Sequence, residues 1–149
     1  MFAERIGHGY RVMQDPELYQ KCLKNFIHFE TCPTSSMLTG SVDLATATSL
    51  KHPVMQFAQD GANFSINTDD TTVTDSSLDN EYQLVRSWGM NEVHLTRSVG
   101  VPIVFIQKKK NNTLEMYSFQ VFNAAKSCFL PDDEKQELIR NLKKIYGVE

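Results

Sequence analysis

The chain has 149 residues, enough for one domain with a sizeable hydrophobic core. It is 41% apolar and 22% charged, and its net charge of −3 gives no support for binding to nucleic acid or to a membrane surface. No apolar run approaches the roughly 18 residues of a transmembrane helix, and no secretory signal follows Met1.

The three cysteines are Cys22, Cys32 and Cys128, far apart and without a C-x-x-C motif. This spacing predicts reduced thiols in a cytoplasmic protein rather than a disulfide framework. Two N-glycosylation patterns, at Asn63 and Asn111, leave secretion as the minor alternative, although the first lies inside a predicted strand.

The first predicted strand surrounds Ile6 and ends in a histidine, His8, between two glycines. A helix is predicted to follow, with Asp15 as N-cap and Pro16 at its first position. Its apolar residues recur at helical spacing and predict a face that packs on the core: Leu18, Tyr19, Cys22, Leu23 and Phe26.

A second strand is predicted over Phe26–Cys32, ended by Pro33 and a polar turn at Thr34–Ser36. A short helix then begins at His52-Pro53 and ends at Gly61. Its apolar residues share one face: Val54, Phe57 and Ala58.

The stretch from Ala62 to Asp70 alternates apolar and polar residues, which predicts a third, half-buried strand. It runs into two adjacent carboxylates, Asp69 and Asp70. Such a pair repels itself unless a cation or a hydrogen-bond donor holds it. One carboxylate on a metal and the other on a polar substrate would fit, and so would a plain Asp-rich loop.

Helices dominate the rest of the chain. One is predicted from the stripe Leu78, Tyr82 and Val85 up to Gly89, and another over Met90–Arg97. Asp132 begins a last helix, whose apolar face comprises Leu138, Ile139, Leu142, Ile145 and Tyr146.

Strands and helices alternate, which predicts an α/β fold with parallel strands and helical crossovers. Functional groups in such folds gather at the carboxyl ends of the strands. His8, Glu30 and the pair Asp69/Asp70 each follow a different strand, so we expect them to lie together.

Five motifs stand in a fixed order: Arg-Ile-Gly-His-Gly-Tyr at 5–10, His-Phe-Glu-Thr-Cys-Pro-Thr-Ser-Ser at 28–36, Leu-Thr-Gly at 38–40, Ser-Ile-Asn-Thr-Asp-Asp at 65–70 and Asn-Ala-Ala-Lys-Ser-Cys-Phe-Leu-Pro at 123–131. Together they resemble the carboxyl-terminal part of the adenosine deaminase family. The resemblance covers nearly the whole chain except a stretch near 99–120.

The resemblance implies a (β/α)₈ TIM barrel, of which this chain supplies strands six to eight and the carboxyl-terminal helices. It implies zinc-dependent hydrolytic deamination of adenosine and 2'-deoxyadenosine to inosine in purine salvage. By position, Asp69 matches the zinc ligand, Asp70 the residue that contacts the purine, and His8 the histidine that manages the proton of the attacking water. Glu30 and Ser35 match supporting positions.

The family's remaining zinc ligands, a His-x-His pair and a further histidine, have no match in this sequence. His28, His52 and His94 do not occupy those positions. One carboxylate cannot hold a catalytic zinc, and three strands cannot close a barrel. We therefore expect the chain alone to be inactive and to fold poorly. We expect an adenosine-type nucleoside to bind only to a complete barrel.

Residues Val99–Gln120 interrupt what the family pattern makes one helix, and they carry the basic run Lys108–Lys110. Valine codons begin with GT and one glutamine codon is CAG, the two ends of a spliceosomal intron. A retained intron is the leading hypothesis, and a surface insertion is the alternative. Two other functions stay open: a deaminase of AMP or N6-methyl-AMP, and a non-catalytic truncated product.

Overall fold

The computed structural model describes residues 3–43, 52–90 and 121–146. Residues 91–120 lie outside this part of the chain. They include the predicted helix Met90–Arg97, except for Met90, and the whole Val99–Gln120 segment. None of the described helices is long and apolar enough to cross a membrane.

Three short strands form a parallel sheet: β1 (Arg5–Gly7), β2 (His28–Thr31) and β3 (Phe64–Ile66). β2 lies in the middle, with Ile6 opposite Phe29 on one side and Phe29 opposite Phe64 on the other. The predicted α/β order with parallel strands is therefore confirmed.

The predicted half-burial of β3 is wrong. Phe64, Ser65 and Ile66 are all buried, because the polar face of the strand is satisfied inside the protein. Ser65 Oγ lies 3.0 Å from Nε2 of the buried His28, whose Nδ1 lies 2.9 Å from Asn63 Oδ1. A polar residue on a strand can thus face a polar interior.

A 3₁₀ turn over Tyr10–Gln14 leads from β1 into helix α1 (Pro16–Lys24). The predicted cap is confirmed, since Asp15 Oδ1 accepts a hydrogen bond from the Leu18 amide at 3.0 Å. Fewer residues of the predicted apolar face of α1 are buried than expected. Tyr19 and Cys22 are buried, whereas Leu18 is 47% and Phe26 is 74% exposed.

The predicted polar turn after Pro33 is instead a helix, α2 (Pro33–Leu38). Pro33 at its first position needs no hydrogen-bond donor, so the proline that ends β2 also starts the helix. Ser35 and Ser36 are consequently buried helical residues.

Helix α3 (Pro53–Asp60) follows His52 and ends at Gly61, whose φ of 69° places it in the left-handed region. The predicted face is buried, and Phe57 stacks on Phe29 with ring centroids 4.6 Å apart. This helix therefore covers one face of the sheet.

Two helices come after β3, the single-turn α4 (Thr71–Thr74) and α5 (Leu78–Ser87). Tyr82 and Val85 of the predicted stripe are buried, but Leu78 is 45% exposed. Trp88 follows α5 and stacks on His52 at 4.5 Å.

The carboxyl-terminal part contains a helical segment at 121–127 and helix α6 (Asp132–Tyr146). Two contacts join it to the sheet. The Asn123 amide donates to the Phe64 carbonyl at 3.3 Å, and Arg5 donates to the Ser127 carbonyl at 3.0 Å. The Arg5 guanidinium also lies 4.5 Å from the centre of the Phe129 ring.

Candidate active site

Three predicted side chains meet beyond the carboxyl ends of the strands. His8 Nε2 lies 3.3 Å from Asp69 Oδ2, and Ser35 Oγ donates to the same oxygen at 2.6 Å. The chain segment after β1, the start of α2 and the segment after β3 each supply one of these groups. Of the residues expected to lie together, His8 and Asp69 are in contact here.

The main chain itself holds the Asp69 carboxylate in place. Asp69 has a φ of 64°, a left-handed conformation that aspartate adopts more readily than most residues. Its Oδ1 accepts a hydrogen bond from the Asp70 amide at 2.9 Å. The bond from Ser35 chiefly lowers the pKa of Asp69, with smaller contributions from the Asp70 amide and from His8. Asp69 is therefore a fixed, ionised carboxylate.

The His8 ring is fixed from its other side. Its Nδ1 lies 3.3 Å from Ser36 Oγ, so hydroxyl and carboxylate oxygens flank the two ring nitrogens. Gly9, next in the chain, has a φ of 86°, and a Cβ there would lie 2.4 Å from Phe29 Cδ1. Only glycine fits where the chain passes this close to Phe29. This close passage places His8 above the sheet.

His8 and Asp69 open onto a groove of about 680 Å³. Its lining comes from the segment after β1, from α1 and from the region of α2, and it includes Ile6, Tyr10, Val12 and Leu18. Polar side chains, among them Ser35, Thr39 and Ser41, complete the lining.

Asp70 is turned differently from Asp69. Its Oδ1 accepts a hydrogen bond from the Thr72 amide at 2.8 Å, which makes Asp70 the N-cap of α4. It is exposed beside the site, and Oδ1 alone has a hydrogen-bond donor among the described residues.

Glu30 forms an ion pair with Arg5 on the neighbouring strand. A Cβ on Gly7 would lie 3.3 Å from its Oε2, so glycine leaves room for the carboxylate. The structure therefore places Glu30 at the edge of the site, where Arg5 compensates its charge.

The sequence did not single out Cys32, but its sulfur, a His8 nitrogen and an Asp69 oxygen lie within 4.8 Å of one another. Burial chiefly, together with the nearby charges of Asp69 and Glu81, raises the pKa of Cys32 to about 12. A metal binds the thiolate, so binding at Cys32 would have to release the thiol proton.

Asp69 fits one part of a zinc site. Its carboxylate oxygen is a ligand type that zinc accepts, and Ser35 orients it from behind. A catalytic zinc takes three protein ligands. In the described ranges 3–43, 52–90 and 121–146, His8 and Cys32 are the side chains whose possible ligand atoms lie near the Asp69 oxygen.

Two other histidines make contacts that support the fold. His28 has a partner at each ring nitrogen, and burial lowers its pKa. His52 accepts a hydrogen bond from the Val54 amide at 3.1 Å, which caps α3. His94 lies outside the described residues.

Comparison with known proteins places these residues in a family. A family model described as "Adenosine deaminase" matches residues 1–145. The adenosine deaminases of Gallus gallus and Danio rerio are 42% and 40% identical to the chain over 146 residues, which is 98% of this chain and 34% of each relative. The chain thus spans about a third of the length of these relatives.

A solved structure shares the fold. The crystal structure of adenine deaminase from Arthrobacter aurescens superposes with a TM-score of 0.66, covering 97% of this chain and 36% of that chain. Sequence identity is 19%, so the likeness shows a common fold and no more.

Proposed function

The chain belongs to the adenosine deaminase family, and we propose that it is the carboxyl-terminal part of a zinc-dependent enzyme. The reaction is hydrolysis of the 6-amino group of adenosine or 2'-deoxyadenosine, which gives inosine and ammonia in purine salvage. The observation that carries the proposal is the approach of His8 Nε2 to Asp69 Oδ2, 3.3 Å apart at the end of an apolar groove.

In this proposal Asp69 contributes one zinc ligand, and the rest of the complete protein contributes the others. Zinc, when bound, activates water for attack at neutral pH. Ser35 donates to Asp69 and keeps it ionised, so the carboxylate offers charge to the metal.

His8 is the residue that moves a proton. Nε2 faces Asp69, and Nδ1 is held by Ser36, so one nitrogen is available to the reacting groups. Asp70, exposed beside them, is assigned to the purine ring, with Oδ1 on the Thr72 amide and Oδ2 directed to the substrate.

The three parallel strands are assigned to strands six, seven and eight of a (β/α)₈ barrel. The order β1-β2-β3 leaves one edge of β1 and one edge of β3 without a strand partner among the described residues. In a barrel both edges are paired. The free state of the three cysteines supports a cytoplasmic location, and no nucleic acid or membrane is assigned as a partner.

The test is a pair of aspartate substitutions in the complete protein. Asp69→Asn keeps the left-handed backbone, which asparagine tolerates, but removes the charge. We expect it to lose bound zinc and at least about 100-fold in the rate of adenosine deamination. Asp75→Asn is the matched control, because Asp75 also has a positive φ, of 47°, and is exposed at the other end of α4 from Asp70.

Zinc content and product distinguish this proposal from its alternatives. Wild-type activity and zinc content in Asp69→Asn would contradict the assignment. Faster turnover of AMP or N6-methyl-AMP than of adenosine would identify the other substrate class. A protein without zinc and without turnover would be a non-catalytic product.

A further inference from the structure

Glu81 is a fully buried glutamate near the start of α5, and the proposed function gives it no role. Its Oε2 accepts a hydrogen bond from the Thr34 amide at 3.1 Å. Its Oε1 is buried and has no hydrogen-bond partner among the described residues. A buried carboxylate is costly unless other groups compensate it. The hydrogen bond to Thr34 therefore indicates what Glu81 does.

Helix α2 lacks a capping side chain of its own. Its N-cap residue is Cys32, whose side chain makes no capping hydrogen bond. The usual N-cap residues carry a side-chain oxygen that accepts an amide hydrogen of the first turn. Thr34 is the first residue of α2 with such a hydrogen, since Pro33 has none. Glu81, which lies 47 residues beyond Thr34 in the chain, supplies the missing oxygen.

Two consecutive residues of α2 are thus held by two carboxylates. Glu81 accepts from the Thr34 amide, and Asp69 accepts from the Ser35 hydroxyl at 2.6 Å. Ser35 lies in the first turn of α2, so a displacement of that turn would move its hydroxyl away from Asp69 Oδ2. The position of the hydrogen-bond donor to Asp69 therefore depends on the cap.

We propose that Glu81 is a positioning residue, which caps α2 and thereby holds the Ser35 hydroxyl against the Asp69 carboxylate. The inference rests on the proposed function only for what Asp69 does with a metal. That Glu81 fixes Ser35 and Asp69 concerns this chain alone and requires neither zinc nor substrate.

Two variants of nearly equal size separate the cap from the packing of the side chain. Glu81→Met fills the same buried space without an acceptor, whereas Glu81→Gln retains an oxygen that can accept from the Thr34 amide. Ser77→Ala is the matched control. It removes the cap of α5 itself, the bond from the Asn80 amide to Ser77 Oγ at 3.2 Å, and leaves Thr34 capped.

Hydrogen exchange of single amides in the metal-free complete protein measures the geometry. In Glu81→Met we expect the Thr34 amide to exchange at least about tenfold faster, the effect of losing one hydrogen bond to a charged group. The Asp70 amide donates to Asp69 Oδ1 at 2.9 Å. It should exchange about two- to tenfold faster, because the Asp69 carboxylate is less firmly held. Glu81→Gln should restore most of the protection at both amides.

Unchanged exchange at either amide in Glu81→Met, equal exchange in the two Glu81 variants, or the same change in Ser77→Ala would overturn the inference. Zinc affinity, measured against a competing chelator, should fall about 10- to 100-fold in Glu81→Met. Ser35→Ala should remove most of this further effect of Glu81→Met in the double variant, and fully additive losses would count against the inference. The expected exchange in a protein that binds no zinc would support this inference and contradict the proposed function.

Discussion

Gly9→Ala tests how tightly the His8 loop is fixed to the sheet. A Cβ at position 9 would lie 2.4 Å from Phe29 Cδ1, and Phe29 is fully buried and stacked on Phe57 at 4.6 Å, so it cannot move aside. The positive φ of 86° adds roughly 1–2 kcal/mol for any side chain, and overpacking adds roughly 1–3 kcal/mol. We expect a loss of about 2–5 kcal/mol in the free energy of unfolding.

Gly61→Ala separates the backbone cost of a positive φ from the cost of overpacking. Gly61 has a φ of 69° but no atom within 4 Å of a Cβ, so only the backbone cost of roughly 1–2 kcal/mol applies. Urea unfolding of the complete protein with each substitution can be followed by circular dichroism. The midpoint of Gly9→Ala should lie about 1 M below that of Gly61→Ala. Equal midpoints would refute the close approach of Gly9 to Phe29.

The remaining predictions concern pH, activity and the gene. Burial lowers the pKa of His52 to about 4; the unfolded chain therefore binds the proton more readily, and stability that is complete above about pH 6.5 falls as the pH drops toward 4. We expect about 2 kcal/mol less unfolding free energy at about pH 4.5 than at pH 7. His52→Asn, which retains a capping oxygen, should lose this dependence, and a wild-type pH profile in that variant would contradict the assignment. The free chain should aggregate and show no deamination of adenosine, because two strand edges are unpaired among the described residues; robust turnover would disprove this. Every valine codon begins with GT, so the test is the Gln120 codon: genomic DNA should read CAG there, and CAA would exclude a retained intron.

Local patterns predicted the elements that bury one apolar face. Asp15 followed by Pro16 located the start of α1, and the spacing of Val54, Phe57 and Ala58 located α3, because capping and helical periodicity act within a few residues. The parallel order of the strands followed from their alternation with helices.

Local patterns could not predict contacts between residues that are distant in sequence. Ser65 looked like a solvent-facing residue because its partner, His28, lies on another strand. Ser35 and Ser36 read as a turn, although their helix is buried against the site. Asp70 caps α4, a single turn with too few residues to show a period.

The carboxyl-terminal segment is attached to both outer strands of the sheet. Asn123 bonds to β3, and Arg5 of β1 bonds to Ser127. These two attachments hold the helical segment that begins at residue 121 against the strands that lead into His8 and Asp69.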